Sequence, residues 1–131
     1  MPGEKLADYP VHLGLGGTAV AQPRFSGVEW YEAYGDRHDA DGADGRLVAL
    51  HTFTESWSGW EMHPVGAELV VCTEGAMTLI QERADGGHDR VALGAGDYAI
   101  NPAGVWHTAD VEDHVTALFV TAGLGTEHRA R

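Results

Sequence analysis

Two stretches of the chain gather residue types that hold a divalent metal ion: Glu61-x-His63-x4-Glu68-x6-Gly75, and Gly96-x5-Pro102-x-Gly104-x2-His107. Two imidazoles and one or two carboxylates from separate strands supply mixed nitrogen and oxygen donors suited to zinc, iron, manganese or nickel. Side chains alternate along a strand, so residues an even number apart share a face. Glu61 and His63 therefore project to one side if 61–63 is extended. Pro64-Val65-Gly66 then turns the chain, and Glu68 begins a strand on the face of Val70 and Cys72. In the second stretch, 101–104 reads as a tight turn, after which Val105, His107 and Ala109 share a face. A metal centre follows if the two hairpins lie opposite each other.

With Glu61 as a ligand, the set is two histidines and two carboxylates. Without it, His63, Glu68 and His107 form a two-histidine, one-carboxylate face with open positions. A third role for Glu61 is general base beside a bound ligand. A second carboxylate puts more negative charge on the ion and weakens it as a Lewis acid. The competing reading leaves these side chains as hydrogen-bonded polar residues in a wet cavity, without metal. For substrate, His51 shares a face with Leu47, Ala49 and Phe53 and is expected to point inward. Trp57 and Trp60 are expected to flank the mouth, where a ring can stack on a planar or sugar-like ligand. Trp106, next to His107, is expected on the opposite side, in sheet packing or a dimer contact.

The elements that must position these residues read mainly as strands. Apolar and β-branched runs bounded by Gly, Asp, Asn or Pro predict strands at 28–34, 46–54, 68–73, 77–82, 90–93, 98–101, 105–109 and 115–121. Hairpin turns are expected at 73–76, 85–87 and 94–97, each with a glycine free to take positive φ. No segment shows three turns of clean helical periodicity, so helix is expected to be minor. Regular short strands with turn signals between them indicate an all-β sandwich or barrel. Residues 1 to about 26 are weakly patterned, an edge strand or an arm on a partner subunit, and 123–131 reads as a loose tail.

At 131 residues the chain is one domain's worth, able to bury a core without disulfides. Cys72 is the single cysteine and, in Leu69-Val70-Val71-Cys72, reads as a small buried residue. Twenty acidic against eight basic residues leave a net charge of -12, which repels nucleic acid and anionic membrane surfaces. No apolar run approaches a membrane span and residues 1–24 lack a secretory pattern, so a cytoplasmic location is expected. Gly14-Leu15-Gly16-Gly17-Thr18-Ala19 mimics a dinucleotide loop, but no βαβ pattern follows it. The acidic run 36–45 has the wrong spacing for a calcium loop and reads as a solvated hairpin loop.

The two stretches resemble the paired motifs of the cupin superfamily. His63, Glu68 and Gly75 stand where the first motif has its second histidine, glutamate and glycine, and Gly96, Pro102, Gly104 and His107 match the second motif. Glu61 occupies the place of the first histidine, Glu55 that of the opening glycine, and Val111 that of the terminal asparagine. The resemblance implies a double-stranded β-helix, or jelly-roll barrel, conserved over about 46–121 of a single domain 1–131. It also implies a divalent metal held by His63, Glu68 and His107 in the barrel mouth, and pairing into a homodimer. The expected function is a small-molecule cupin: a metal-dependent oxygenase or isomerase acting on an organic acid, enol or sugar-like compound. The alternative is a non-catalytic ligand-binding or sensing cupin, metal-free in one version.

Overall fold

The computed structural model describes residues 1–131. In chain order come β1 (Val11–Leu13), β2 (Ala19–Ala21), the helix α1 (Val28–His38), a 3₁₀ segment (Asp39–Asp44), β3 (Arg46–Phe53), β4 (Gly59–Met62) and β5 (Glu68–Glu82). The rest is β6 (His88–Gly94), β7 (Tyr98–Asn101), β8 (His107–Asp110), β9 (Val115–Thr121) and β10 (Glu127–Ala130). All pairings are antiparallel and make two sheets, ordered β2-β1-β3-β9-β5-β7 and β10-β4-β8-β5-β6. The sheets face each other as a double-stranded β-helix, the all-β barrel expected from the strand pattern.

The fifteen-residue β5 belongs to both sheets, and the reason lies at Gly75. Its φ is 74°, and a Cβ there would sit 2.2 Å from the His114 carbonyl oxygen, so only glycine fits. With an irregularity between Cys72 and Glu74, this position bends β5 from one sheet into the next. Residues 73–76, expected to close a hairpin, therefore do not reverse the chain. The turn around Asp85 does close the β5–β6 hairpin, with Gly87 N–H donating to Asp85 Oδ1 at 2.7 Å. The turn at 94–97 carries the chain from β6 to β7, in the other sheet, rather than pairing them.

Between the sheets, Val70, Cys72, Leu79, Ala109, Val115 and Ala117 are wholly buried, with Met77, Leu93, Val111 and Phe119 beside them. Period-two alternation puts these side chains inside, and apolar area removed from water stabilises the barrel by about 25 cal/mol per Å². Cys72 is part of this packing, as its apolar neighbours suggested.

Three expectations are corrected. Residues 28–34 form the first part of a helix, not a strand. Their β-branched and aromatic content favours a strand, but Trp30 and Tyr34, four apart, stack at 5.5 Å with a 5° interplanar angle. Trp30 is 5 % exposed and packs against Leu47 and Ala49 of β3, an apolar contact that outweighs propensity. Residues 36–45 are the end of that helix and the 3₁₀ segment, not a hairpin loop. The final residues are not a loose tail, because β10 pairs with β4 through Glu127↔Met62 to Ala130↔Gly59. β1 joins β3, and β2 forms the sheet edge, which places the weakly patterned start of the chain within the first sheet.

Candidate metal centre and its cavity

Two cross-strand rows build the site. In the second sheet, His128, Glu61, His107 and Gln81 stand directly opposite one another across β10, β4, β8 and β5. In the first, Asn101, Glu68 and Thr121 do the same across β7, β5 and β9. Residues paired in this way share a face, so the register of each sheet delivers a carboxylate to the barrel interior. His63 follows the end of β4 and closes the gap between the rows.

Glu61, His63, Glu68 and His107 each bring one donor atom into a group whose members lie within 4.8 Å of one another. His63 Nε2 is 3.3 Å from Glu61 Oε1 and 3.2 Å from Glu68 Oε2, and His107 Nε2 is 3.4 Å and 3.3 Å from Glu61 Oε1 and Glu68 Oε1. Metal–ligand bonds of about 2.0–2.2 Å separate neighbouring donors by about 3.0–3.5 Å, so these spacings fit one shared ion. His63 Nε2 is buried between these two carboxylate oxygens, pointing between them without the geometry of a full hydrogen bond to either.

The surrounding hydrogen bonds select the ligating atoms. Thr126 donates its hydroxyl to the Gly123 carbonyl at 2.8 Å, leaving its oxygen to accept His63 Nδ1–H at 2.8 Å. His107 Nδ1–H is held by the Val105 carbonyl at 3.3 Å. With each Nδ1 engaged as a donor, each Nε2 turns its lone pair into the cluster. Glu68 accepts from Asn101 Nδ2 at 3.0 Å on one oxygen and from the Thr121 hydroxyl at 2.5 Å on the other, and Gln81 fixes the Asn101 amide at 2.9 Å.

Without an ion the four groups balance each other as charges. Burial alone would push the histidine pKa values down, but hydrogen bonds and charge from Glu61 and Glu68 raise both His63 and His107 to about 9. Burial alone would likewise raise the carboxylates, yet His107 and His63 bring Glu68 to about 2 and hold Glu61 well below its ordinary value. The other oxygen of Glu61 faces His128 Nε2 at 3.4 Å, and His128 is 71 % exposed. Glu61 thus spans from the cluster to a solvent-exposed imidazole.

Beside the cluster lies a cavity of about 850 Å³. His51, expected to face inward, lines it, with Phe25, Tyr31, Phe53, Trp57 and Phe119. Trp57 lies 6.2 Å from the His107 ring, whereas Trp60 does not line the cavity. As the neighbour of Glu61 in β4 it faces the other side of the sheet, where it packs on His88 and beneath the Arg129 guanidinium. Trp106 also faces away, under Arg129 at 4.5 Å. Tyr31 and His51 form a polar pair in the aromatic wall, hydroxyl to Nε2 at 3.3 Å. Burial raises the Tyr31 pKa to about 12, aided by Glu61 and Glu68, and burial lowers that of His51.

Tyr31, Thr126 and His128 escaped the sequence reading because they lie on elements assigned as strand or tail. So did a second group, His12, His38 and Asp41. Here both nitrogens of His12 are already engaged, Nδ1 with the Tyr34 hydroxyl at 2.6 Å and Nε2 with Asp41 at 2.7 Å. The His12 and His38 rings stack at 3.9 Å and 16°, so their in-plane lone pairs run side by side and do not converge. This group clamps α1 and the 3₁₀ segment to β1.

The sequence model of the cupin domain family matches residues 53–123, and the chain belongs to that family. No curated protein matches it in sequence. Among solved structures it is similar to a cupin-2 domain protein from Shewanella frigidimarina, with 18 % identity over 58 % of this chain and 69 % of that one, and a TM-score of 0.50. It is similar to Bacillus subtilis oxalate decarboxylase, described with Mn(II) centres, at 15 % identity over 73 % of this chain and 26 % of that one, TM-score 0.55. It is also similar to an oxalate oxidase at 14 % identity over 66 % of this chain and 48 % of that one, TM-score 0.54. At these identities the likeness is one of fold, and this chain spans about a quarter of the decarboxylase and half of the oxidase. No helix is long and apolar enough to cross a membrane.

Proposed function

We propose that this protein is a metal-binding cupin that acts on a small organic molecule held in the aromatic cavity, through metal-assisted oxidation or isomerisation of an organic acid, enol or sugar-like compound. The observation that carries the reading is the convergence of four donor atoms, with both histidine Nδ1 atoms engaged behind them. Glu61, His63, Glu68 and His107 would hold the ion, which supplies a Lewis acid and an anchor for a substrate oxygen. The chain's own residues do the rest. The aromatic wall would orient the ligand and exclude water, and Glu61, if it does not complete the metal's shell, would handle a proton through its contact with His128.

Metal analysis of protein purified without chelator tests this: about one equivalent is expected. Less than about a tenth of an equivalent, unchanged by adding iron, manganese, nickel or zinc, would overturn it. Oxygen uptake and product analysis with small acids, diols and keto compounds test the catalytic half.

The charge balance of the metal-free cluster favours a second reading, a cupin that binds or senses a ligand without turnover. Two imidazoliums against two carboxylates can persist in the barrel with no ion. Full metal occupancy with no product from any compound would favour a metal-bearing sensor, and no metal with retained ligand binding the metal-free one.

A further inference from the structure

We propose that the ligand of this cavity is an uncharged planar ring bearing a hydroxyl group, phenol-like or enol-like, seated between the metal cluster and helix α1. The inference rests on the reading of the cavity beside the cluster as the ligand site, and it narrows the substrate class by charge.

Neither lysine nor arginine lines the cavity. Its acidic lining beyond the cluster is Glu32, Asp36 and Asp39, none of them ion-paired, and a divalent ion offsets only the two carboxylates that hold it. A carboxylate or phosphate entering between the rings would lose its hydration with no guanidinium or ammonium in reach. Much of the remaining wall is a run of rings. Phe25 lies 5.1 Å from His51, His51 6.0 Å from Phe119, Phe119 6.1 Å from Trp57, and Trp57 6.2 Å from the His107 ligand. Such a wall stacks on a flat ligand. Glu32, Asp36 and Asp39 are exposed, so solvent screens their pull on a cation, and an ammonium among the rings would set only cation–π attraction against the loss of its hydration.

The Tyr31–His51 pair sets the polar requirement. Tyr31 is 44 % exposed at the mouth while its hydroxyl engages His51. With the pair already bonded to each other, the Tyr31 oxygen keeps a free lone pair in either His51 tautomer, to which a ligand hydroxyl can donate and a carboxylate, an acceptor only, cannot.

The test is calorimetric titration of the full chain with 2-naphthol, 2-naphthoate and 2-naphthylmethylammonium, once with zinc added and once after chelator. One ring is thereby read in three charge states. The expected result is 2-naphthol binding at least about tenfold tighter than either ion in both preparations. Tyr31→Phe is expected to weaken 2-naphthol about tenfold without moving the melting temperature. Stronger binding of naphthoate or of the ammonium in either preparation, no binding of naphthol, or an unchanged Tyr31→Phe affinity would each overturn the inference. Failure of the metal reading looks different: it leaves the ring preference intact in protein that takes up no metal.

Discussion

At the scale of single residues, metal binding at the proposed cluster would exchange one divalent ion for two protons. With His63 and His107 both raised to about 9, the metal-free protein near neutral pH holds imidazolium on each. A ligating histidine must be neutral, so binding is expected to release about two protons and to tighten as pH rises toward 9. Calorimetry of zinc binding in buffers of different ionisation enthalpy reads the proton number directly. The same shifts shape the stability of the metal-free form. Raised histidines contribute stability that is complete below their ordinary 6.5 and is lost as pH climbs through about 9. Depressed carboxylates contribute above their ordinary 4.5 and lose it as pH falls toward about 2. Chelated protein should therefore melt highest between these limits, and a melting temperature rising steadily above pH 7 would contradict the ion-paired cluster. Thr126→Val removes the acceptor of His63 Nδ1–H while sparing every donor atom. It is expected to weaken zinc binding about 10- to 100-fold, measured by competition with a chromophoric chelator.

At the scale of elements, the critical feature is the bend of β5. Gly75→Ala puts a methyl group into the His114 carbonyl at a left-handed φ, and it is expected to destabilise the protein by about 2 kcal/mol or more in denaturant unfolding. Because Glu68 and Gln81 lie on opposite sides of that bend, the variant should also lose metal affinity. Helix α1 shows where local patterning misleads. Val28-Glu29-Trp30-Tyr31 reads as strand by composition, yet Trp30 finds its buried surface on Leu47 and Ala49, nearly twenty residues away in sequence. That contact decides the conformation and turns Tyr31 into part of the cavity wall. The 127–130 segment is the same case in a strand: Glu-His-Arg-Ala has no apolar alternation, and only the open edge of β4 recruits it.

At the scale of the whole molecule, the barrel leaves edges. β2 is exposed along its length, with Val20 42 % exposed, and β7 at the far edge of that sheet shows Tyr98 at 64 % and Ile100 at 54 %. Unpaired edges with apolar side chains invite a partner strand, and we propose a homodimer formed through them. Light scattering is expected to give twice the chain mass, and a monomer at all concentrations would refute it. The net charge of -12 sits apart from this, acting on the whole surface to disfavour polyanions.

The residue types and spacing alone indicated an all-β barrel with most of its strands between 46 and 121, and the resemblance of two motifs to the cupins picked out the side chains that converge, because period-two alternation and the glycine and proline turns are local properties. His63, Glu68 and His107 were legible because each lies in or beside a strand whose inward face is marked by apolar neighbours. Only the tertiary structure decided that Gly75 bends one strand where a hairpin was expected, and that Trp57 and not Trp60 faces the cavity. It also decided that residues from a helix and a terminal strand complete the site. Those outcomes depend on contacts between segments far apart in the chain, whose burial outweighs what any segment prefers by itself.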